Sequence, residues 1–271
     1  MLKRGDHLSF PYSKGQVAIF FIIGLIILAS FIILSTAKKE NASKLDEGIS
    51  TVETGQVDDV NLRSFVQFCV DSVAKNAVFY LGFVGGKLQK DFFPKFYIVD
   101  ANYRIPYFYY KGGSNMPSRD GFRNLILAKY MNENLRKCTN NFKAFESTRI
   151  IDSSSRTNVL LTDEEIIFNV TYPVSINRGL HIKNLDQAYS TEVKARLKEI
   201  LEIAQTIVNY ELINDRYIHW DYLTDMSNRN YNITAYTQED NTILYRIIDL
   251  ENEIDREKYI FQFANKIKVK E

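Results

Sequence analysis

The chain is short of the residues that most often give a chemistry away. It has three histidines, His7, His181 and His219, and two cysteines, Cys69 and Cys138, so the paired ligand spacings that hold zinc are missing. Neither an HExxH helix signature nor a GxSxG elbow occurs. An excess of either charge is lacking as well: 34 Lys and Arg stand against 33 Asp and Glu, a formal net charge of +1. No global field therefore recruits a polyanion, and nucleic acid is not expected as a partner. Five prolines and one Trp accompany 17 Tyr and 18 Phe, with 45% hydrophobic residues overall. That balance excludes a disordered chain and points to well-filled cores with many strands.

Long apolar runs are also scarce, with one exception, KGQVAIFFIIGLIILASFIIL near the start. Residues 17–37 carry no charged side chain, and at about 1.5 Å per residue a helix of that length crosses a hydrocarbon layer roughly 30 Å thick. The predicted organisation is a basic leader at 1–15, a transmembrane helix at 16–37, a stalk or linker at 38–60 and a folded domain at 61–271. Lys3, Arg4 and Lys14 before the run balance Lys38, Lys39 and Lys44 after it, so basic residues do not set the topology. Asn-x-Ser/Thr glycosylation sequons stand at Asn41, Asn169 and Asn232 but decide little in a chain rich in Asn; the two cysteines say more, and the long C-terminal part is expected outside the cell.

Within that part Leu62, Phe65, Val66, Cys69, Val73, Ala77 and Leu81 recur at three- and four-residue steps after Asp58 and Asp59, which predicts an amphipathic helix. A second helix is expected from a Ser118 cap through Phe122, Leu125, Ile126, Tyr130 and Leu135 to Cys138. The two thiols are either inert core groups or, in an oxidising exterior, a single bridge between these helices. A third helix is expected over 185–213, with Asn184 and Gln187 as a capping box and Tyr189, Val193, Leu197, Ile200, Ala204, Ile207 and Val208 as its stripe. Strands are expected at 95–100 and 103–110 as a hairpin, then at 148–151, 157–161 and 165–172, and at 231–237, 242–250 and 259–268. The fold class is α+β: an N-terminal transmembrane helix, then an ectodomain of antiparallel sheet packed with amphipathic helices.

Three segments invite functional readings. GFVGGK at 82–87 has the glycines of a phosphate loop, but Leu88 stands where Ser or Thr holds magnesium, so the glycines are assigned to a helix end. IHWDY at 218–222 gathers His219, Trp220 and Asp221; on a strand His219 and Asp221 share one side, yet an ordinary hydrogen-bonded histidine is the preferred reading. YRIPYFYY at 103–110 has rings for stacking bases or sugars but no basic groove beside them, and is assigned to the core or an edge strand. No catalytic, cofactor-binding or metal-binding residue is assigned.

KGQ directly before the apolar run resembles the processing signal of archaeal type IV prepilins, in which the leader is cut on the cytoplasmic side. The resemblance implies cleavage between Gly15 and Gln16, with the following domain outside. Phe20 stands at the fifth mature position, where many prepilins carry Glu. More broadly, KGQVAIFFIIGLIILA, CVDSVAKNAVFYLGFVGGKL and YIFQFA resemble membrane-anchored surface proteins, without an assigned activity, of small-genome archaea. The expected role is a structural or adhesive, pilin-like surface protein whose partners are the lipid bilayer and either further copies or a cell-surface protein. A monomeric tethered ligand-binding module is the alternative, and a membrane-anchored hydrolase a distant third. Adhesion predicts a patch of exposed Tyr and Phe on one face.

Overall fold

The computed structural model describes residues 59–86, 97–100, 102–146, 148–178, 181–185, 187–214 and 218–267. They belong to one compact unit, Val57–Glu271. The expected leader and transmembrane helix, with Gly15, Gln16 and Asn41, lie outside the described residues. Among the described residues no helix is long and apolar enough to cross a membrane.

The first element, α1 (Asp59–Phe83), buries Leu62, Val66, Cys69, Val70, Val73, Ala77 and Leu81 along one face, the stripe expected of its sequence. It stops at the glycines. Gly85 and Gly86 take φ of +56° and +73°, and the Gly86 N–H returns to the Leu81 carbonyl at 2.6 Å, closing the last turn as in a Schellman motif. A Cβ on Gly86 would lie 1.9 Å from the Phe122 ring, so GFVGGK is a helix stop with an aromatic packed on it.

β1 (Tyr97–Asp100) and β2 (Tyr103–Tyr110) form the expected hairpin, and β3 (Gly113–Ser114) folds back on β2. Ser118 then caps a helix, its Oγ accepting the Gly121 N–H at 3.1 Å. That helix opens with a wide π turn over Gly121–Leu127 and continues as α2 (Ala128–Thr139). Phe122 and Leu127 are buried in the wide turn, whereas Leu125, expected on the apolar face, is 71% exposed; the wider winding rotates it away from the core. A short 3-10 segment, Asn140–Phe145, follows. β4 (Arg149–Asp152), β7 (Val174–Arg178) and β8 (His181–Asn184) make one three-stranded sheet, and β5 (Arg156–Leu161), β6 (Glu165–Thr171) and β9 (Ala188–Lys194) another.

The expected helix over 185–213 is thereby corrected. Its first part is the strand β9, and α3 begins only at Leu197, running to Ile213. Tyr189 and Val193 are buried as expected, but a four-residue step lies on one side of a strand as well as of a helix. Asn184, instead of capping, accepts a hydrogen bond from Ser175 Oγ across the sheet at 2.8 Å. The strand geometry that would put His219 and Asp221 on one side does not occur: α4 spans Trp220–Ser227, with His219 at its N-cap.

β10 (Tyr231–Thr237), β11 (Thr242–Ile254) and β12 (Glu257–Lys266) complete a six-stranded sheet ordered β1-β2-β12-β11-β10, with β3 beside β2. Among the described residues every strand pair is antiparallel except β2 with β12. The fold is α+β. One face of the large sheet carries Phe108, Tyr245, Phe261 and Phe263, all buried, with the Phe263 ring 4.9 Å from Phe108 and 5.1 Å from Tyr245. β2 thus places YRIPYFYY in the core: Tyr107, Phe108 and Tyr109 are at most 6% exposed.

Cys69 and Cys138 are bonded, tying α1 to α2 across a Cα separation of 5.7 Å, within the range such a bridge requires. The bond closes a loop of 69 residues, and the loop-closure model assigns such a restriction about 4 kcal/mol. Immediately after it Asn140, Asn141 and Phe142 all take left-handed φ, between 46° and 57°. The turn seats Phe142 between the Phe65 and Tyr172 rings.

Candidate functional site

Two buried polar clusters lie under α3, and each begins with a residue placed against the local pattern. Glu211 falls in the apolar stripe of α3 and is 3% exposed. The Tyr245 hydroxyl, rising from β11, donates to its Oε1 at 2.7 Å. Beside this pair the His219 ring stacks on Tyr210 at 4.0 Å, and Tyr222 meets Tyr210 edge-on at 5.5 Å. Burial, and then the Glu211 charge, hold the Tyr245 hydroxyl far above its ordinary pKa. Tyr222 is raised as well, chiefly by burial. A carboxylate, an imidazole and three phenols thus surround one point, but the cavity they line measures about 10 Å³. That is room for roughly one water and no substrate. Asp221 is exposed on the first turn of α4, where its charge favours the helix N-terminus, and does not line this cavity.

The second cluster centres on Arg196, just before α3, and Asp249, whose alternation along β11 points it at the core. Arg196 donates to Asp249 Oδ1 from Nε at 3.1 Å and from Nη2 at 2.6 Å. It also donates to the carbonyls of Arg229 and Asn230, both at 3.1 Å, and lies over the Tyr231 ring at 4.1 Å. Asp249, fully buried, accepts further bonds from Asn252 Nδ2 at 2.9 Å and the Glu251 N–H at 3.0 Å. Burial pushes its carboxyl up, but these donors together bring it below the usual carboxylate value. The β11–β12 register shifts between Asp249 and Glu253, so the pair pins a bulge to the start of α3. Tyr231 adds a 2.7 Å bond to Glu199; its own hydroxyl is pushed far up by burial first and that carboxylate second. The cluster's charges are met by protein groups, which makes it a structural joint.

An open groove of about 290 Å³ runs between Met116, Pro117 and Arg119 on one side and Leu201, Glu202, Gln205 and Thr206 of α3 on the other. The Arg119–Glu202 ion pair spans it. Among the described residues no three His, Cys, Asp or Glu side chains gather as metal ligands. Of the sequons, Asn169 is exposed on β6, accepting from Ser190 Oγ at 3.0 Å, and Asn232 is exposed on β10.

Half-exposed Phe79 and Phe83 meet exposed Tyr103 through ring contacts, Phe79 with Phe83 at 5.3 Å and Phe83 with Tyr103 at 5.8 Å. Phe68, Tyr103, Trp220 and Tyr236 are the most exposed rings, and they stand on α1, β2, α4 and β10. Tyr103 and Tyr236 are separated by β12 and β11 in the sheet order. Much of the aromatic richness serves the core. Arg196, Glu211 and Asp249 were missed by the sequence reading, although a signal existed for two of them. Asp249 shares the inward period of Ile243, Tyr245 and Ile247, and Glu211 follows Ile200, Ala204 and Ile207 on one helical face. A charged residue in an apolar register announces a buried partner.

No protein-family model matches this chain, and no curated protein or solved structure matches it.

Proposed function

We propose that the protein is a single-pass membrane protein whose folded unit is displayed outside the cell in a structural or adhesive, pilin-like role. The observation that carries the reading is the uncharged span 17–37 followed by a folded unit whose two cysteines form a bond. The span is the length of a bilayer crossing, and such bonds persist in oxidising compartments. The leader 1–15 is cut between Gly15 and Gln16 on the inner side, and Asn169 and Asn232, both exposed, accept glycans. Display rests on the anchor and on the surface of the folded unit, where Phe79, Phe83 and Tyr103 stand together. The groove beside α3 favours a second reading, a tethered module that captures a small ligand.

Alkaline carbonate extraction of native membranes, followed by sequencing of the mature N-terminus and protease treatment of intact cells, tests the first reading. A pelleted chain beginning at Gln16 and cut from outside supports it. Release by carbonate, or protection from external protease, overturns it. Isothermal titration with a small-molecule panel separates the second reading, which requires saturable binding lost in a Gln205→Trp variant.

A further inference from the structure

Resting on the second reading, that the groove beside α3 captures a small ligand, we propose that this ligand is a free α-amino acid with an apolar side chain, its carboxylate taken by Arg119 and its ammonium by Glu202. The two walls hold opposite charges. On one side Ser118 caps the helix start and Arg119 follows it at once. On the other, Leu201 with Gln205 and Glu202 with Thr206 are four apart, so they make two neighbouring rows on one face of α3. Arg119 and Glu202 meet as an ion pair across the opening, their side chains 48% and 53% exposed. A pair so well solvated contributes little to folding and is open to exchange. The neighbouring acids have cations of their own: Asp120 faces Arg123, and Asp163 faces Lys198.

Charge complementarity sets the ligand class. An anion alone would bring its charge against Glu202 and a cation alone against Arg119, and like charges brought together cost affinity. A zwitterion satisfies both. The planar fork of Arg119 matches a carboxylate, and one solvated ion pair is exchanged for two charge-assisted ones. In an α-amino acid both charges stand on a single carbon, whereas a peptide separates them along its backbone; side chains that already touch need move little to hold the former. Between the charges the groove is apolar, with Leu201 4% exposed and Met116 and Pro117 half-buried across from it. Gln205 donates its amide N–H to Asn209 at 2.9 Å, so its carbonyl oxygen stands as a further acceptor for an ammonium. The volume, about 290 Å³, lies at the small end of ligand pockets, which run from about 300 to 1,000 Å³. The wall that carries Arg119 also leads into the π turn Gly121–Leu127, a winding that recurs at functional sites.

The full chain in detergent is titrated calorimetrically with L-leucine, L-methionine and L-phenylalanine, then with the N-acetyl, amide and dipeptide forms of whichever binds tightest. Saturable binding of the amino acid is expected, weaker by about tenfold or more for the N-acetyl form, which lacks the ammonium, and for the amide, which lacks the carboxylate. Arg119→Gln should remove the advantage over the amide and keep the advantage over the N-acetyl form. Glu202→Gln should do the converse. Both side chains are half exposed, so the melts of these variants should overlay that of the parent, and the blocked ligands test the parent chain without any substitution. Equal affinity for the amino acid and its blocked forms, or tighter binding of the dipeptide, overturns the proposal. Saturable binding of another small molecule, lost in Gln205→Trp, with no response to the three amino acids overturns it while leaving ligand capture in place. No saturable binding by any compound overturns capture itself, and this ligand with it.

Discussion

The six-stranded sheet and the β4–β7–β8 sheet are held by different means. The large sheet buries stacked rings, Phe108 on Phe263 on Tyr245, and joins its bulge to α3 through Arg196 and Asp249. The small sheet has four-residue strands at each edge, and β8 is exposed along its whole length. Few side chains there bury enough area to offset chain ordering. Beside it lie the disulfide and a left-handed turn wedged by Phe142. One region is stable because it excludes water. The other is stable because its neighbours are stapled, and its outer surface remains open for contact.

Deleting a ring is the most severe way to break that contrast. Phe263→Ala removes a fully buried side chain between two others and is expected to cost roughly 3–5 kcal/mol. Urea denaturation should show the midpoint falling with the slope unchanged. A loss under about 1 kcal/mol would show that the large sheet does not depend on its stack.

The staple is tested by Cys69→Ser with Cys138→Ser. The loop-closure model gives about 4 kcal/mol, and distorted or compact unfolded states return less. The location of the loss is the sharper readout. Hydrogen exchange should rise in α2, the 3-10 segment and β4 well before it rises in β11 and β12. Uniform loosening would mean the two regions unfold as one.

Asp249→Asn probes the joint through pH. In the folded chain the Asp249 carboxyl lies below its ordinary value, since its donors outweigh burial. Its contribution is therefore complete above the unfolded carboxylate pKa of about 3.9 and disappears as pH falls through the folded value. The variant should lose about 3 kcal/mol at neutral pH, because Arg196 is left buried without its main partner. Its acid limb should also be shallower than the parent's below about pH 4. An unchanged acid limb would assign the pH dependence to other carboxylates.

The same contrast explains what was legible in the sequence. Long elements with a single compatible period, α1 and the β10–β11–β12 meander, are written plainly in their apolar spacing. β9 was not, because Tyr189 and Val193 are four apart and both periods accept that step. β7 and β8 were obscured by their brevity and by Pro173 and Gly179, which read as punctuation. The bond between Cys69 and Cys138 was legible as one of two alternatives, since each thiol falls on or beside an apolar helical face. The Glu211–Tyr245 pair was not, because a partner 34 positions away in no fixed period leaves no local trace; only the misplaced charge does.

The smallest expected effect on stability lies at the exposed edge of the small sheet. Ile182→Ser changes a side chain that is 63% exposed on an edge strand, and such substitutions shift stability by no more than about 0.5 kcal/mol. Thermal melts of the full chain in detergent should overlay those of the parent. A variant that melts early would place Ile182 in the core's support. Overlaid melts would show that β8 is held by its backbone pairing with β7 and by the sheet's buried side, Val174 and Ile176, with little share from this side chain.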